Sequence, residues 1–266
     1  MRPPGTLAYP LPAGAVLDRL ALLRVKQDLL THPPHRRIAA AEHALVLRAW
    51  TGSGLPAPRE LPAYASMSVV HRMLWNLENV VRAAERQGDL GPGFVAVTAR
   101  IHRLNAVRAA HRRAADADTA GTGVDLVEVP QCLDAYADRI AIAEVRRHRR
   151  PDTNQVGHLI LRDSWLSRGL PDLFDGDLFR RLCHTNDRLW SAKEELETTL
   201  PHAPVAACRR VYLVNDARVR AKRRVAEALR CALRDVKEYV RYPPPAGWDD
   251  QSLTWSLPAP TPEGRR

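Results

Sequence analysis

The residues with chemistry to offer lie on helical stripes that occur twice. Over the last long helical stretch Cys208, Val211, Asn215, Arg218, Lys222, Val225 and Leu229 follow one another at steps that keep to one helical face, so that face runs apolar, then strongly polar, then apolar again. Ile101 and Leu104 lead in the same way into Asn105, Arg108 and Arg112. An unaccompanied charge on a core-facing stripe is costly to bury, so these groups must meet carboxylates, water or an anionic ligand. The helix before each stripe offers partners. His71, Trp75, Glu78 and Arg82 share one face, and Asn186, Trp190, Lys193 or Glu194, and Glu197 fill the matching face of the second copy. The chemistry implied is a polar pocket between helices, with Trp75 and Trp190 as aromatic walls and arginine or lysine to grip phosphate or carboxylate. Glu78 and Asp216 are the candidate acid–base groups. The plainer alternative is a buried ion-pair network that sets helix register.

The elements that must position these residues are helices. All 21 prolines fall at the termini or in punctuation such as Pro33–Pro34, Pro56 to Pro62, Pro92, Pro130, Pro151, Pro171 and Pro201 to Pro204. Because proline breaks a helix interior, the intervals near 13–32, 35–51, 63–88, 93–116, 131–150, 172–198 and 205–242 are read as helices. Alternating strand patterns flanked by hairpin turns are hard to find, and the fold class is all-α. Asp18 sits just inside the first helix, where it would cap that helix or pair with Lys26, and Asp138 takes the same place in a later one. The proline-rich segments 1–12 and 243–266 read as exposed tails, and 119–130 as a linker between a first helical unit, 13–118, and a second, 131–242.

Three collinear matches point to internal duplication. Asp18 to Lys26 recurs as Asp138 to Arg146, Leu74-Trp75 as Leu189-Trp190, and Asn105 with Arg108 and Arg112 as Asn215 with Arg218 and Lys222. The Asp-to-Trp interval is 57 residues in one copy and 52 in the other, and the Trp-to-Asn interval 30 and 25, so order and spacing both persist. Two related helical-bundle halves about a pseudo-twofold axis are expected, as in a fused homodimer. The chain would then be a monomeric pseudo-dimer or a homodimer.

Composition narrows the function classes. A chain of 266 residues with 45% hydrophobic and 26% charged residues can build a sizeable core, which sets wholesale disorder aside. No apolar run is long enough for a membrane span and no signal peptide opens the chain, so a cytoplasmic protein with no membrane partner is expected. The net charge of +10 raises the question of nucleic acid. Lysine, however, occurs only at Lys26, Lys193, Lys222 and Lys237, and the remaining basic residues are arginines in an alanine-rich chain, a bias that GC-rich coding writes onto any surface. The Arg146–Arg150 run and the Arg218–Arg224 cluster hold no aromatic residue, so no specific nucleic-acid partner is expected. The cysteines, Cys132, Cys183, Cys208 and Cys231, form no CxxC and read as buried apolar residues; no metal set is assigned.

Taken together, D-[KR]-[LI]-x-[IL]-L-x-x-K, L-W-x-[IL]-E-D and [LV]-N-D-x-R-x-x-x-K resemble an uncharacterised bacterial family of small helical proteins. The resemblance runs once per half, through Asp18, Lys26, Trp75, Glu78, Gly88 to Phe94, Asn105 and Arg108, then Asp138, Asn186, Trp190, Asn215, Asp216, Arg218, Lys222 and Val236 to Tyr239. Asn79, Ala106 and Lys193 depart from it, so neither copy is intact. The resemblance implies a helical fold and a neighbourhood of glycosyltransferase and polysaccharide genes, not a reaction.

Three functions compete. The first is a protein, enzyme or not, that binds an anionic metabolite such as a phosphorylated or nucleotide-linked sugar. Its ligand-binding residues would be Asp18, Lys26, His71, Trp75, Asn105, Arg108, Arg112, Asn186, Trp190, Asn215, Arg218 and Lys222. The second is a haem- or metal-dependent helical tailoring enzyme using His71 and His184. The third is a non-catalytic pseudo-dimeric scaffold or partner-binding module, in keeping with the lack of HExxH, Walker, GxSxG or strand-led GxGxxG motifs. Gly91-Pro-Gly93 is too short to cradle phosphate and reads as a helix boundary. The residues name no cofactor.

Overall fold

Proline opens helices in this chain as often as it separates them. In the computed structural model, which describes residues 6–151, 155–200 and 202–238, α2 (Pro33–Gly52), α3 (Pro62–Gln87) and α4 (Pro92–Thr119) each begin on a proline. The first helical N–H has no intrahelical acceptor in any case, so proline costs nothing there. The remaining helices are α1 (Ala13–Leu29), α5 (Leu133–Arg149), α6 (Gln155–Leu166), α7 (Asp177–Thr199) and α8 (Val205–Ala228). The chain is mostly helical, as its periodicity predicts.

Two short strands depart from that expectation. β1 (Thr6–Leu11) and β2 (Val127–Cys132) pair antiparallel, with Tyr9 opposite Val129. Residues 6–11 are therefore not an exposed tail, and 127–130 are not linker: Leu7, Leu11, Val127 and Val129 are buried. Pro10 and Pro130 obscured both strands in the sequence. A two-stranded ribbon has only edge strands, where a residue without an N–H is tolerated. Residues 1–5 and 243–266, the rest of the expected tails, lie outside the described residues, as does Tyr239.

The strand–four-helix order β1–α1–α2–α3–α4 is followed by the same order, β2–α5–α6–α7–α8. Leu17, Leu20, Trp50 and Met67 anchor the first core, which also takes in Val127 and Val129 from β2. Tyr136, Ile140, Trp165, Phe179 and Leu182 anchor the second, which takes in Leu7 from β1. Each half thus receives apolar residues from the other half's strand. The indole N–H of Trp50 donates to the Pro56 carbonyl and that of Trp165 to the Pro171 carbonyl, both at 2.8 Å and both six residues along. A third cluster, with Val81, Phe94, Leu196 and Tyr212, joins α3 and α4 to α7 and α8.

Two boundaries need correction. α6 lies where no helix was expected, beyond Pro151. The helix expected over 205–242 stops at Ala228, and Arg230 turns the chain with a positive φ of 51°. Residues 231–238 form a non-helical strap that returns across the first half, where Val236 packs with Leu30, Ala39 and Trp75 rather than extending the α8 stripe.

Candidate functional site

The polar faces of α3, α4, α7 and α8, together with Lys26 of α1, enclose one cavity of about 370 Å³ between the halves. The stripe on α8 reaches it as the spacing predicts, through Cys208, Val211, Asn215, Arg218 and Lys222. From the first half come Lys26, His71, Trp75, Glu78, Asn105 and Arg108. The two stripes therefore serve a shared space rather than two equal pockets.

The walls are held by two carboxylates, Asp138 buried and Asp18 partly so, in similar arrangements. Asp138 receives Arg218 through both oxygens, Nε–Oδ1 at 2.9 Å and a second bond from Nη2 to Oδ2, and Asn186 Nδ2 donates to Oδ1 at 3.0 Å. Burial works against its charge, but Arg218 and Lys222 hold its pKa below the ordinary value. Asp18 takes the corresponding place in the first half, 2.8 Å from His71 Nε2 and 3.5 Å from Arg108 Nε. Its pKa is also lowered, with burial opposed by the His71 hydrogen bond and the Arg108 charge. Neither aspartate does what a helix-start carboxylate was expected to do. Asp18 does not cap α1, whose N-cap is Pro12, and does not pair with Lys26.

Lys26 instead meets Asp235 of the strap, Nζ to Oδ1 at 2.6 Å, and Lys222 approaches the other oxygen at 3.4 Å. Asp235 lies well below the usual carboxylate range, because Lys26, Lys222 and Lys237 outweigh the cost of its burial. Lys222 is shifted up, its burial overcome by Asp235, Asp138 and Asp134. Lys193 of α7, an exposed residue, lines the cavity with no hydrogen bond or ion pair among the described residues. Its pKa is lowered by desolvation and then by Arg218 and Arg108.

The remaining expected residues divide. Glu78 lines the cavity, with its carboxylate 2.5 Å from Arg82 Nη1. Asp216 lies behind the wall, engaged by the other side of the fully buried Arg82 at 2.5 and 3.1 Å, and does not line the cavity. Asn186 and Trp190 line an adjoining cleft of about 440 Å³ that shares Lys193 and Arg218 with the cavity. The Trp190 indole donates to Glu194 at 2.5 Å, and Arg150 sits over its ring. Arg112 and Asp18 line a third cleft, on the ribbon side of α1. His184 lines none of these three spaces, so His71 and His184 are not brought together.

Asp235, Lys193 and Lys237 were missed as site residues. Lysine scarcity was the available signal: all four lysines of the chain, Lys26, Lys193, Lys222 and Lys237, line this one cavity. No protein-family model, no curated protein and no solved structure matches the chain.

Proposed function

We propose that the cavity between the halves binds a small anionic metabolite, with a phosphorylated or nucleotide-linked sugar as the class tested first. The convergence of all four lysines supports this reading. The chain uses arginine almost everywhere a cation is needed, yet it places its few ammonium groups around one space. An ammonium is a compact charge with three rotatable donors, suited to phosphate oxygens arriving from several directions. Arg218 and Arg108 are committed to Asp138 and Asp18 and act as wall. The ligand-facing charge is carried by Lys193, Lys237 and the Lys26–Asp235–Lys222 cluster, against Glu78 as the other carboxylate of the lining. Trp75 supplies an apolar face for a ring. If chemistry follows binding, Glu78 is the proton acceptor, and Asp216 positions it through Arg82.

We further propose that the two halves descend from a duplication. The repeated element order, the Trp50 and Trp165 hydrogen bonds, the Asp18–His71–Arg108 and Asp138–Asn186–Arg218 groupings and the Tyr9–Val129 register support it.

The test is a thermal-shift screen of inorganic phosphate, sugar phosphates and nucleotide sugars, followed by calorimetry on Lys193→Gln. A charge-assisted bond contributes about 1.5–3 kcal/mol, so binding should weaken by roughly 10- to 100-fold. Absence of stabilisation by every anion overturns the reading.

A further inference from the structure

We propose that the cleft bounded by β1, α1, α4 and α5 is a second anion site, in which Arg112, Arg139 and Arg146 hold a phosphate-type oxyanion. This cleft of about 590 Å³ is distinct from the lysine cavity, and Leu22 is the residue that lines both. Four arginines face it, Arg19, Arg112, Arg139 and Arg146, against a single carboxylate, Asp18. That carboxylate is already held by His71 and Arg108, with the Arg112 charge adding to theirs from farther away.

Among the described residues, three of the four guanidinium groups have no carboxylate of their own within ion-pair distance, Arg112 sharing Asp18 at longer range with His71 and Arg108. Arg19 is neutralised by Glu42 at 2.5 and 3.0 Å and also bonds to Gln131. Among the described residues, Arg112, Arg139 and Arg146 make no ion pair. The contact of Arg139 is with the face of Tyr9, 4.6 Å from the ring centroid. Arg112 and Arg139 are half-buried, so water screens them poorly, whereas Arg146 is exposed at the rim. The Arg139 pKa is lowered by burial, with Arg19 and Arg112 adding to the effect while Tyr9 and Asp138 oppose it. A guanidinium does not give up its proton at ordinary pH, so the crowding persists as repulsion unless an anion enters.

The chemistry differs from that of the lysine cavity. Guanidinium forks present paired, coplanar donors that match two oxygens of one phosphate or carboxylate. Pro10, Leu11 and Leu161 add apolar lining to the cleft. A small oxyanion or a terminal phosphate group is the ligand class.

Calorimetry of the full chain with inorganic phosphate, and separately with pyrophosphate, tests the site against the lysine cavity. Two binding events are expected, one lost in an Arg112→Gln/Arg139→Gln variant and the other in Lys193→Gln. In phosphate-free buffer Arg112→Gln should have a higher Tm than the unaltered chain and should gain less from added phosphate, the opposite of what loss of a structural contact produces. A single event lost only in Lys193→Gln overturns the second site and leaves the first reading standing. A single event lost only in the arginine variant supports the second site and removes the first. No binding of either anion, or an Arg112→Gln variant with a lower Tm in phosphate-free buffer, overturns the proposal.

Discussion

At the scale of single residues, the interior between the halves is governed by which charges are already answered. Asp235 is the carboxylate that lets Lys26, at 4% side-chain exposure, and Lys222 lie side by side. Removing one partner of a buried pair costs about 3–5 kcal/mol, because the remaining charge stays desolvated. Asp235→Asn should therefore lower the urea-unfolding free energy by about 3 kcal/mol, given that Asp235 keeps some contact with water. The same variant should gain more stability from added phosphate than the unaltered chain does, since the anion replaces the lost carboxylate. An unchanged midpoint in urea would show that the two lysines need no counter-charge. The stripes on α4 and α8 were legible because helical spacing alone puts Asn215, Arg218 and Lys222 on one face. Their partners were not, because Asp138 lies 80 residues from Arg218, and Asp235 reaches Lys222 only through the turn that ends α8, which no local rule announces.

At the scale of elements, the site depends on how closely α1 lies against α4. Gly14 permits that approach. A Cβ there would fall 2.0 Å from the Arg112 carbonyl oxygen, a backbone atom that cannot swing aside, and the Gly14 N–H donates to Asp116 Oδ1 at 2.7 Å. Gly14→Ala should force the two helices apart and destabilise the fold by about 3 kcal/mol, the upper part of the usual range for overpacking, measured by thermal or urea unfolding. A variant as stable as the parent would mean the helices separate without cost. Helix existence was readable from proline spacing, but helix ends were not. Proline at the first helical position looks in sequence like a separator, which moved the expected start of α2 to residue 35 instead of Pro33. The short α6 and the two strands lacked a long period to announce them, and β1 and β2 are ordered by pairing across more than a hundred residues.

At the scale of the whole molecule, carboxylates held by cations and hydrogen-bond donors tie stability to pH. Asp18, Asp138 and Asp235 are held below their ordinary values, and Glu238 is held down at about 2: its burial cost is outweighed by donors from Thr31, His35 and His32 at the start of α2. A carboxylate whose folded pKa is depressed contributes its full stability above the unfolded pKa of about 4 and loses it as pH falls through the folded value. Stability should therefore be level from about pH 5 upward as far as these groups decide it, and should decline from about pH 4 toward pH 2. Glu238→Gln should remove part of that decline, as read from urea midpoints at stepped pH. An acid limb identical in the variant would show that Glu238 contributes nothing to it. The amino-acid order by itself determined the helical class, the repeated polar stripes and the scarcity of lysine, since each is set by local period or by composition. That the stripes share one cavity, that strands exchange between cores, and that a C-terminal strap neutralises two lysines were decided only by tertiary packing. These depend on contacts between segments far apart in the chain, where burial and charge neutralisation select the partner and sequence distance carries no information.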